Sequence, residues 1–178
     1  MFTTKNGYNI FELASALQKD IRRGKEYEAM FWAAELEDHN PKMLWNRLKI
    51  IVCEDIGIAE PTLPLIIDTL ARWYFEFKKH KNQPSRLFLA EAILLLCRSK
   101  KSRIVDDFLI TVYGERKFRE KKPKIPDYAL DMHTLAGKRK GRCIKHFFEV
   151  GSKLENEAEI ENVYKEKAKE LLLEYGHP

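Results

Sequence analysis

The stretch PTLPLIIDTLARWYFEF, residues 61–77, decides the fold class of this chain. Its large apolar residues recur at three- and four-residue spacing over about five turns, which is typical of an α-helix with one buried face. They are Leu63, Ile66, Ile67, Leu70, Trp73, Tyr74 and Phe77. Proline is favourable at the start of a helix, and Pro61 and Pro64 both lie there. We therefore predict a central core helix in this stretch.

The same helical period continues on both sides of this stretch. Towards the N-terminus it predicts helices over 10–23 and 26–38 and from Pro41 onwards, with Asn40 as the N-cap of the third. Towards the C-terminus it predicts a helix in which Leu87, Phe88, Ala92, Leu95 and Leu96 face inward. It then predicts a sixth helix that contains Val105, Phe108, Leu109 and Val112. No strand-like alternation of useful length occurs. The predicted fold is all-α, a single multi-helix bundle.

Charge divides the chain into parts. Residues 115–145 carry eleven Lys or Arg against four Asp or Glu, and residues 153–175 carry four Lys against seven Glu. We predict a helical core over 1–114, a basic loop-rich segment over 115–145, and a docking segment with an amphipathic helix over 146–178, all in the same domain. The predicted final helix spans Glu155 to Tyr175.

Clusters of cations without intervening acids are typical of polyphosphate contacts. We predict contacts to nucleic acid or to an acidic protein partner at two residues of the first helix, Lys19 and Arg22, and at a larger set in the basic segment. That set is Arg116, Lys117, Lys121, Lys122, Lys138, Arg139, Lys140 and Arg142. The alternative is that these cations form solvated faces and solubilising loops.

Few features indicate catalysis or a cofactor. The adjacent Glu54 and Asp55 precede a glycine, but neighbours on a helix point about 100° apart, so we interpret them as structural carboxylates opposite Arg22 or Arg47. Cys143 and His146 form one pair, whereas a structural zinc site normally needs two. We expect no catalytic residue, no metal and no cofactor.

Three ordered motifs resemble one known family. They are SALQKDIR (15–22) with AMFWAA (29–34), EDIGIAEP (54–61), and LAEAILLL (89–96) followed by Lys101-Ser102. They are similar to the C-terminal helical region of the RarA/MgsA replication-associated AAA+ ATPases, and the similarity ends near Tyr113. The resemblance implies a fold akin to the oligomerisation collars of clamp-loader-like proteins and a part in self-assembly and DNA replication. A phosphate-binding loop is absent from the sequence, since the glycine it would need before Gly137-Lys138 is replaced by Met132.

We therefore predict a non-enzymatic accessory module for DNA replication or repair, a homo-oligomer that associates with DNA without reading its sequence and acts with a replication ATPase. One alternative is a small hydrolase or phosphoryl-transfer enzyme that uses Asp131, His133 and the basic residues. Another is a protein-binding adaptor for a separate ATPase. Three widely spaced cysteines and the lack of a long apolar run favour the cytoplasm and no membrane.

Overall fold

The protein is all-helical, as predicted. The computed structural model describes residues 2–80 and 83–176, and within these ranges the regular structure consists of helices and one isolated bridge between Thr3 and Asn9. The chain forms two compact units, residues 1–120 and 121–178. Their boundary lies six residues beyond the predicted end of the helical core at 114.

The first unit contains six α-helices in the part that the structure describes. They are α1 (Ile10–Arg22), α2 (Glu26–His39), α3 (Pro41–Ile51), α4 (Leu63–Phe77), α5 (Ser85–Arg98) and α6 (Ile104–Phe118). A π-helical turn (Val52–Ile56) and a 3-10 turn (Gly57–Ala59) join α3 to α4. α1 packs on α2, α4 packs on α5, and α5 also contacts α1 and α2. The tight connections thus place consecutive helices beside one another.

The start of α3 follows the sequence prediction. The side chain of Asn40 accepts a hydrogen bond from the backbone N–H of Met43 at 3.0 Å, and Pro41 is the first helical residue. This satisfies one of the donors that a helix start leaves unpaired. The predicted cap is confirmed.

The core of the first unit lies among α1 to α5. The apolar faces of α1 and α4 are buried, and Trp45 and Tyr74 are its largest fully buried side chains, with ring centroids 5.3 Å apart. The Tyr74 hydroxyl donates to the buried carboxylate of Glu37 at 2.7 Å. Trp73, predicted in the core, is instead 46% exposed, because the buried face of α4 runs through Ile67, Leu70 and Tyr74.

α6 contains the predicted apolar residues but differs from its prediction at its C-terminal end. Phe108, Leu109 and Val112 are all exposed, and none of the residues of α6 is buried. The helix also continues to Phe118, where a loop was predicted from Arg116 onwards. Arg and Lys are good helix formers and are favoured in the last turn of a helix, so the basic residues extend α6.

The second unit consists of short elements. A 3-10 turn (Asp127–Ala129) precedes α7 (Leu135–Arg139), α8 (Ile144–His146) continues into a π-helical turn (Phe147–Gly151), and α9 spans Lys165–Tyr175. The predicted start of the last helix at Glu155 is therefore wrong by ten residues. On a helix, Glu155 would lie four residues from Glu159, and Glu157 four residues from Glu161, so the carboxylates of each pair would repel one another. No helix within the described ranges has the length and apolar character needed to cross a membrane.

Candidate nucleic-acid interface

The two predicted contact residues of α1 have different surroundings. Lys19 is exposed, and its Nζ donates to the hydroxyl of Ser15 at 2.6 Å. Arg22 is half-buried, with its Nε 2.9 Å from Oδ1 of Asp55 and its Nη2 3.5 Å from Oε1 of Glu54. Arg22 therefore stabilises the π-helical turn, which agrees with the structural interpretation of the two carboxylates.

Asp55 is the centre of this ion-pair cluster. Its side chain is fully buried and accepts hydrogen bonds from Gln18 Nε2 and Arg103 Nη1, each at 3.0 Å. Arg103 also contacts Glu54 at 3.1 Å and Asp106 in the first turn of α6. The hydrogen bond to Glu54, followed by the charges of the neighbouring carboxylates, raises the pKa of Arg103. The cluster joins α1, the π-helical turn and α6.

The glycine of the matched motif allows α6 to lie close to the π-helical turn. Gly57 has a φ of +51°, and a Cβ at this position would lie 2.7 Å from Cγ2 of Val105. Both the backbone conformation and the close approach require glycine. The segment from Glu54 to Gly57 is thus explained by packing and ion pairs.

The sequence analysis missed Arg103, although a signal was available. A cation directly before the first turn of a helix is unfavourable, because the helix N-terminus carries partial positive charge. Arg103 is the N-cap residue of α6. A cation at this position therefore indicates that acidic side chains elsewhere neutralise its charge. For Arg103 they are Glu54 and Asp55, from a distant part of the chain.

The basic residues at the end of α6 and after it lie on the surface. Arg116 and Lys117 are exposed, and Nζ of Lys117 lies 5.3 Å from the centre of the Phe118 ring. Lys121 and Lys122, at the start of the second unit, are also exposed. These four side chains occupy positions from which they can contact a partner.

The basic patch of the second unit divides into two pairs. Lys138 and Arg139 are exposed on α7. Lys140 donates to the carboxylate of Asp127 at 2.7 Å. Arg142 pairs with the same carboxylate and donates to the carbonyl of Leu130 at 2.6 Å, and its side chain is only 14% exposed. Hydrogen bonds from Lys140 and Arg142 lower the pKa of Asp127. Lys140 and Arg142, predicted as partner contacts, thus also bind Asp127 within the second unit.

The residues of the alternative enzyme hypothesis organise a local turn. Oδ1 of Asp131 accepts from the backbone N–H of His133 at 2.9 Å. The His133 ring lies edge-on to the Phe147 ring, with centroids 5.5 Å apart. Thr134 is the N-cap of α7, and its hydroxyl accepts a hydrogen bond from the backbone N–H of Gly137. The described residues contain no group of three or more His, Cys, Asp or Glu placed to hold a metal ion.

These features define an all-helical protein with an internal ion-pair cluster around Asp55 and several exposed cationic segments. It is similar to Replication-associated recombination protein A of Haemophilus influenzae, 29% identical over 131 residues, which is 72% of this chain and 27% of the relative's length. The protein of the same name from Bacillus subtilis is 28% identical over 149 residues, 80% of this chain and 33% of the relative's length. The chain thus spans about a third or less of these relatives. No family model matches it.

The resemblance predicted from the three motifs is confirmed by these two relatives. The motif from Glu54 to Pro61 coincides with the π-helical and 3-10 turns, and its charged residues belong to the ion-pair cluster. The similarity therefore includes residues that fix the position of α6 on the first unit.

Proposed function

We propose that this chain is a non-enzymatic assembly module that acts in DNA replication or recombination. It associates with further copies of itself through α6 and holds DNA through exposed cations. The names of its relatives, replication-associated recombination proteins, support the process. The exposure of α6 carries the proposal of self-association.

α6 exposes large apolar side chains in every direction around its axis. These are Ile104, Phe108, Leu109, Ile110, Val112, Tyr113 and Phe118, with Phe108 68% exposed. A helix that is apolar on all sides is normally buried in a core or an interface. Within the first unit, the helix contacts the π-helical turn and the 3-10 turn. The rest of its apolar surface is available for a partner.

The exposed area of α6 is large enough for a stable interface. At roughly 200 Å² for a fully exposed large side chain, the exposed fractions correspond to an apolar surface on the order of 800 Å². A specific complex buries about 800 Å² per partner, and α6 reaches this size only if partners cover it from more than one side, because its apolar side chains point in every direction.

The charge distribution along α6 favours a second copy of the same helix as the partner. The first turn contains Asp106 and Asp107, and the last turn contains Arg116 and Lys117. In an antiparallel pair related by a two-fold axis, the acidic turn of each copy lies beside the basic turn of the other. Such complementarity favours this register over a parallel one, in which like charges would meet.

The exposed cations supply the DNA contacts of this assembly. Lys122, Lys138 and Arg139 are exposed and form no ion pair in the part of the chain that the structure describes. Each contact to a phosphate is weak, but several copies bound to one DNA raise the overall affinity. Because nothing in these segments forms a base-reading element, the contacts are independent of DNA sequence.

The substitution Phe108→Glu tests self-association. It places a carboxylate in the middle of the proposed interface, and we expect the dissociation constant of the oligomer to rise by about 100-fold, as for the loss of a central aromatic contact. Sedimentation of both proteins over a concentration series measures this change. The matched control is Phe11→Glu on α1, where Phe11 is 60% exposed, and this variant should associate like the unmodified protein. A protein that stays monomeric without any substitution would contradict the proposal.

The double substitution of Lys138 and Arg139 by Gln tests the DNA contacts. Each lost phosphate contact removes about one released counterion, so the slope of log affinity against log salt concentration should decrease by about 2. Binding of a labelled forked DNA at several salt concentrations gives both slopes. Gln at Lys167 and Lys169 is the control and should leave the slope unchanged, because these lysines lie on α9, where three Lys are balanced by three Glu. Binding that does not depend on salt would refute the electrostatic contacts.

A further inference from the structure

A basic groove lies between α3 and α4, and its lining contains none of the contact residues predicted from the sequence. Its volume is about 560 Å³, and four cations line it: Lys42 and Lys49 from α3, Arg72 from α4, and Lys79 just after α4. Glu76 is the acidic side chain in its lining. The cations are scattered through the sequence and converge only in the folded chain.

The four cations stand in two facing pairs. Lys42 and Lys49 are seven residues apart, as are Arg72 and Lys79, so each pair of positions is separated by about two helical turns or ~10 Å. Lys49 Nζ contacts Oδ1 of Asp68 at 2.6 Å, which places the end of α3 beside the beginning of α4. The two helices are therefore antiparallel. Lys49 faces Arg72 at one end of the groove, and Lys42 and Lys79 lie at the other.

Ion pairs among the described residues form at only one end of the groove. Asp68 pairs with Lys49 and, at 3.3 Å, with Arg72. Lys42 and Lys79 form no ion pair in the part of the chain that the structure describes.

Some cations of the first unit are ion-paired, whereas others, such as Lys5 and Lys100, form no ion pair among the described residues. Arg86 is paired with Glu37, Arg98 with Glu26 and Arg103 with Asp55. An excess of like charge on facing helices lowers stability and is typical of a site for an anion.

Trp45 provides an independent indication of a ligand. This side chain lines the groove and is 1% exposed, and its Nε1–H has no hydrogen-bond acceptor among the described residues. Buried donors without an acceptor are rare in folded proteins, and each needs an explanation. Because Nε1 is covered by the surrounding atoms, a ligand oxygen in the groove would accept this hydrogen bond only after these atoms move aside.

We propose that the groove between α3 and α4 binds the sugar-phosphate backbone of single-stranded nucleic acid. Cations at two ends about 10 Å apart match an extended polyanion better than one compact phosphate. Phe75, which is half-buried in the lining, offers an aromatic surface to an unpaired base. The inference rests on the proposed function, because both take nucleic acid as the partner. It adds a nucleic-acid contact in the first unit.

Indole N–H signals in NMR spectra report directly on the groove. The protein has three tryptophans, and the variants Trp32→Phe and Trp73→Phe identify the signal of Trp45 by elimination. Addition of an oligothymidylate of about 12 nucleotides should move the Trp45 signal, as expected for a new acceptor at Nε1. A Trp45 signal that stays in place while the oligonucleotide binds would overturn the proposal.

Paired substitutions separate the groove from the other contacts. Gln at Lys42 and Lys79 should weaken oligothymidylate binding by about 10-fold, since two phosphate contacts are lost. Gln at Lys5 and Lys100, two exposed lysines of the first unit outside the groove, should have no effect. Equal affinities for the two double variants would overturn the proposal.

Two further measurements distinguish the failure of this inference from the failure of the proposed function. Gln at Lys138 and Arg139 should weaken binding without abolishing the movement of the Trp45 signal. If this variant loses all binding and the groove variant loses none, the proposed DNA contacts stand and the groove does not bind. Pyrophosphate is the second probe. If it moves the Trp45 signal as strongly as the oligonucleotide does at equal concentration, the groove binds a free phosphate compound, and single-stranded nucleic acid is excluded as its ligand.

Discussion

Replacing Asp55 by Ala is expected to lower the free energy of unfolding by about 3 kcal/mol. The carboxylate is fully buried and holds Gln18, Arg22 and Arg103 together. Its loss removes their buried partner and leaves the two arginines with the partly exposed carboxylates of Glu54 and, for Arg103, Asp106. Removing one partner of a buried ion pair usually costs about 3–5 kcal/mol. We expect the lower end because the side chains of Arg22 and Arg103 are 32% and 38% exposed, and water can solvate them in part.

Urea unfolding followed by circular dichroism measures this change. The midpoint should fall while the dependence on urea concentration stays the same, as for a loss of stability without a change of unfolded surface. Glu54→Ala is the matched control: its side chain is 27% exposed, and the loss should be below about 1 kcal/mol. Equal losses for the two variants would show that burial of Asp55 does not determine its contribution.

The Asp55 substitution should also weaken self-association. Arg103 precedes α6 and is held by Asp55 and Glu54, and the backbone N–H of Ser102 donates to the carbonyl of Asp55 at 2.9 Å. These contacts fix the direction in which α6 leaves the first unit. If α6 forms the interface between copies, the ion-pair cluster is the element that positions it.

Local signals in the sequence were sufficient for the helices of the first unit. Asn40 followed by Pro41 fixes the start of α3, and the spacing of Leu63, Ile67 and Leu70 fixes the buried face of α4. Each of these features depends on residues within about four positions of one another, which is the range over which helix periodicity and capping act. They could therefore be predicted without knowledge of the tertiary structure.

The periodicity of α6 predicted the helix but not the environment of its apolar residues. An apolar residue such as Phe108 satisfies the same spacing whether it is buried within its own chain or against another molecule. The pattern alone predicts a face that avoids water, and only the structure reveals that this chain does not cover it. Exposure of Leu109 and Val112 has the same explanation.

The candidate site depended on contacts between distant residues. Arg103 and Asp55 are separated by 48 positions, and Arg142 meets Asp127 across 15. A count of charges along the chain cannot tell an exposed cation from one that is paired in this way. The groove cations were missed for the opposite reason, because Lys42, Lys49, Arg72 and Lys79 never form a run in the sequence.

Gly137→Ala is the second substitution with a large expected effect. A Cβ at Gly137 would lie 1.7 Å from the carbonyl oxygen of Asp131 and 2.7 Å from that of Leu130. Both atoms belong to the backbone, so the turn before α7 has to move as a whole. We expect a loss of about 3 kcal/mol or more in the stability of this turn, at the upper end of the cost of overpacking.

Hydrogen exchange of the backbone amides measures this loss locally. The N–H of Gly137 donates to Oγ1 of Thr134, and the N–H of Arg142 donates to the carbonyl of Gly137, so both amides should lose protection. Gly114→Ala in α6 is the control: nothing lies within 4 Å of its Cβ position, and alanine should stabilise the helix by about 0.5–1 kcal/mol.

The consequence for DNA binding follows from the position of Gly137 directly before Lys138 and Arg139. If the turn holds these two cations in place, Gly137→Ala should weaken DNA binding about as much as replacing both cations by Gln, although it removes no charge. Unchanged exchange protection in Gly137→Ala would contradict the close packing of Gly137 against Asp131. Lost protection with unchanged DNA affinity would mean that the cations act as flexible charges and that the fold of the second unit is not needed to present them.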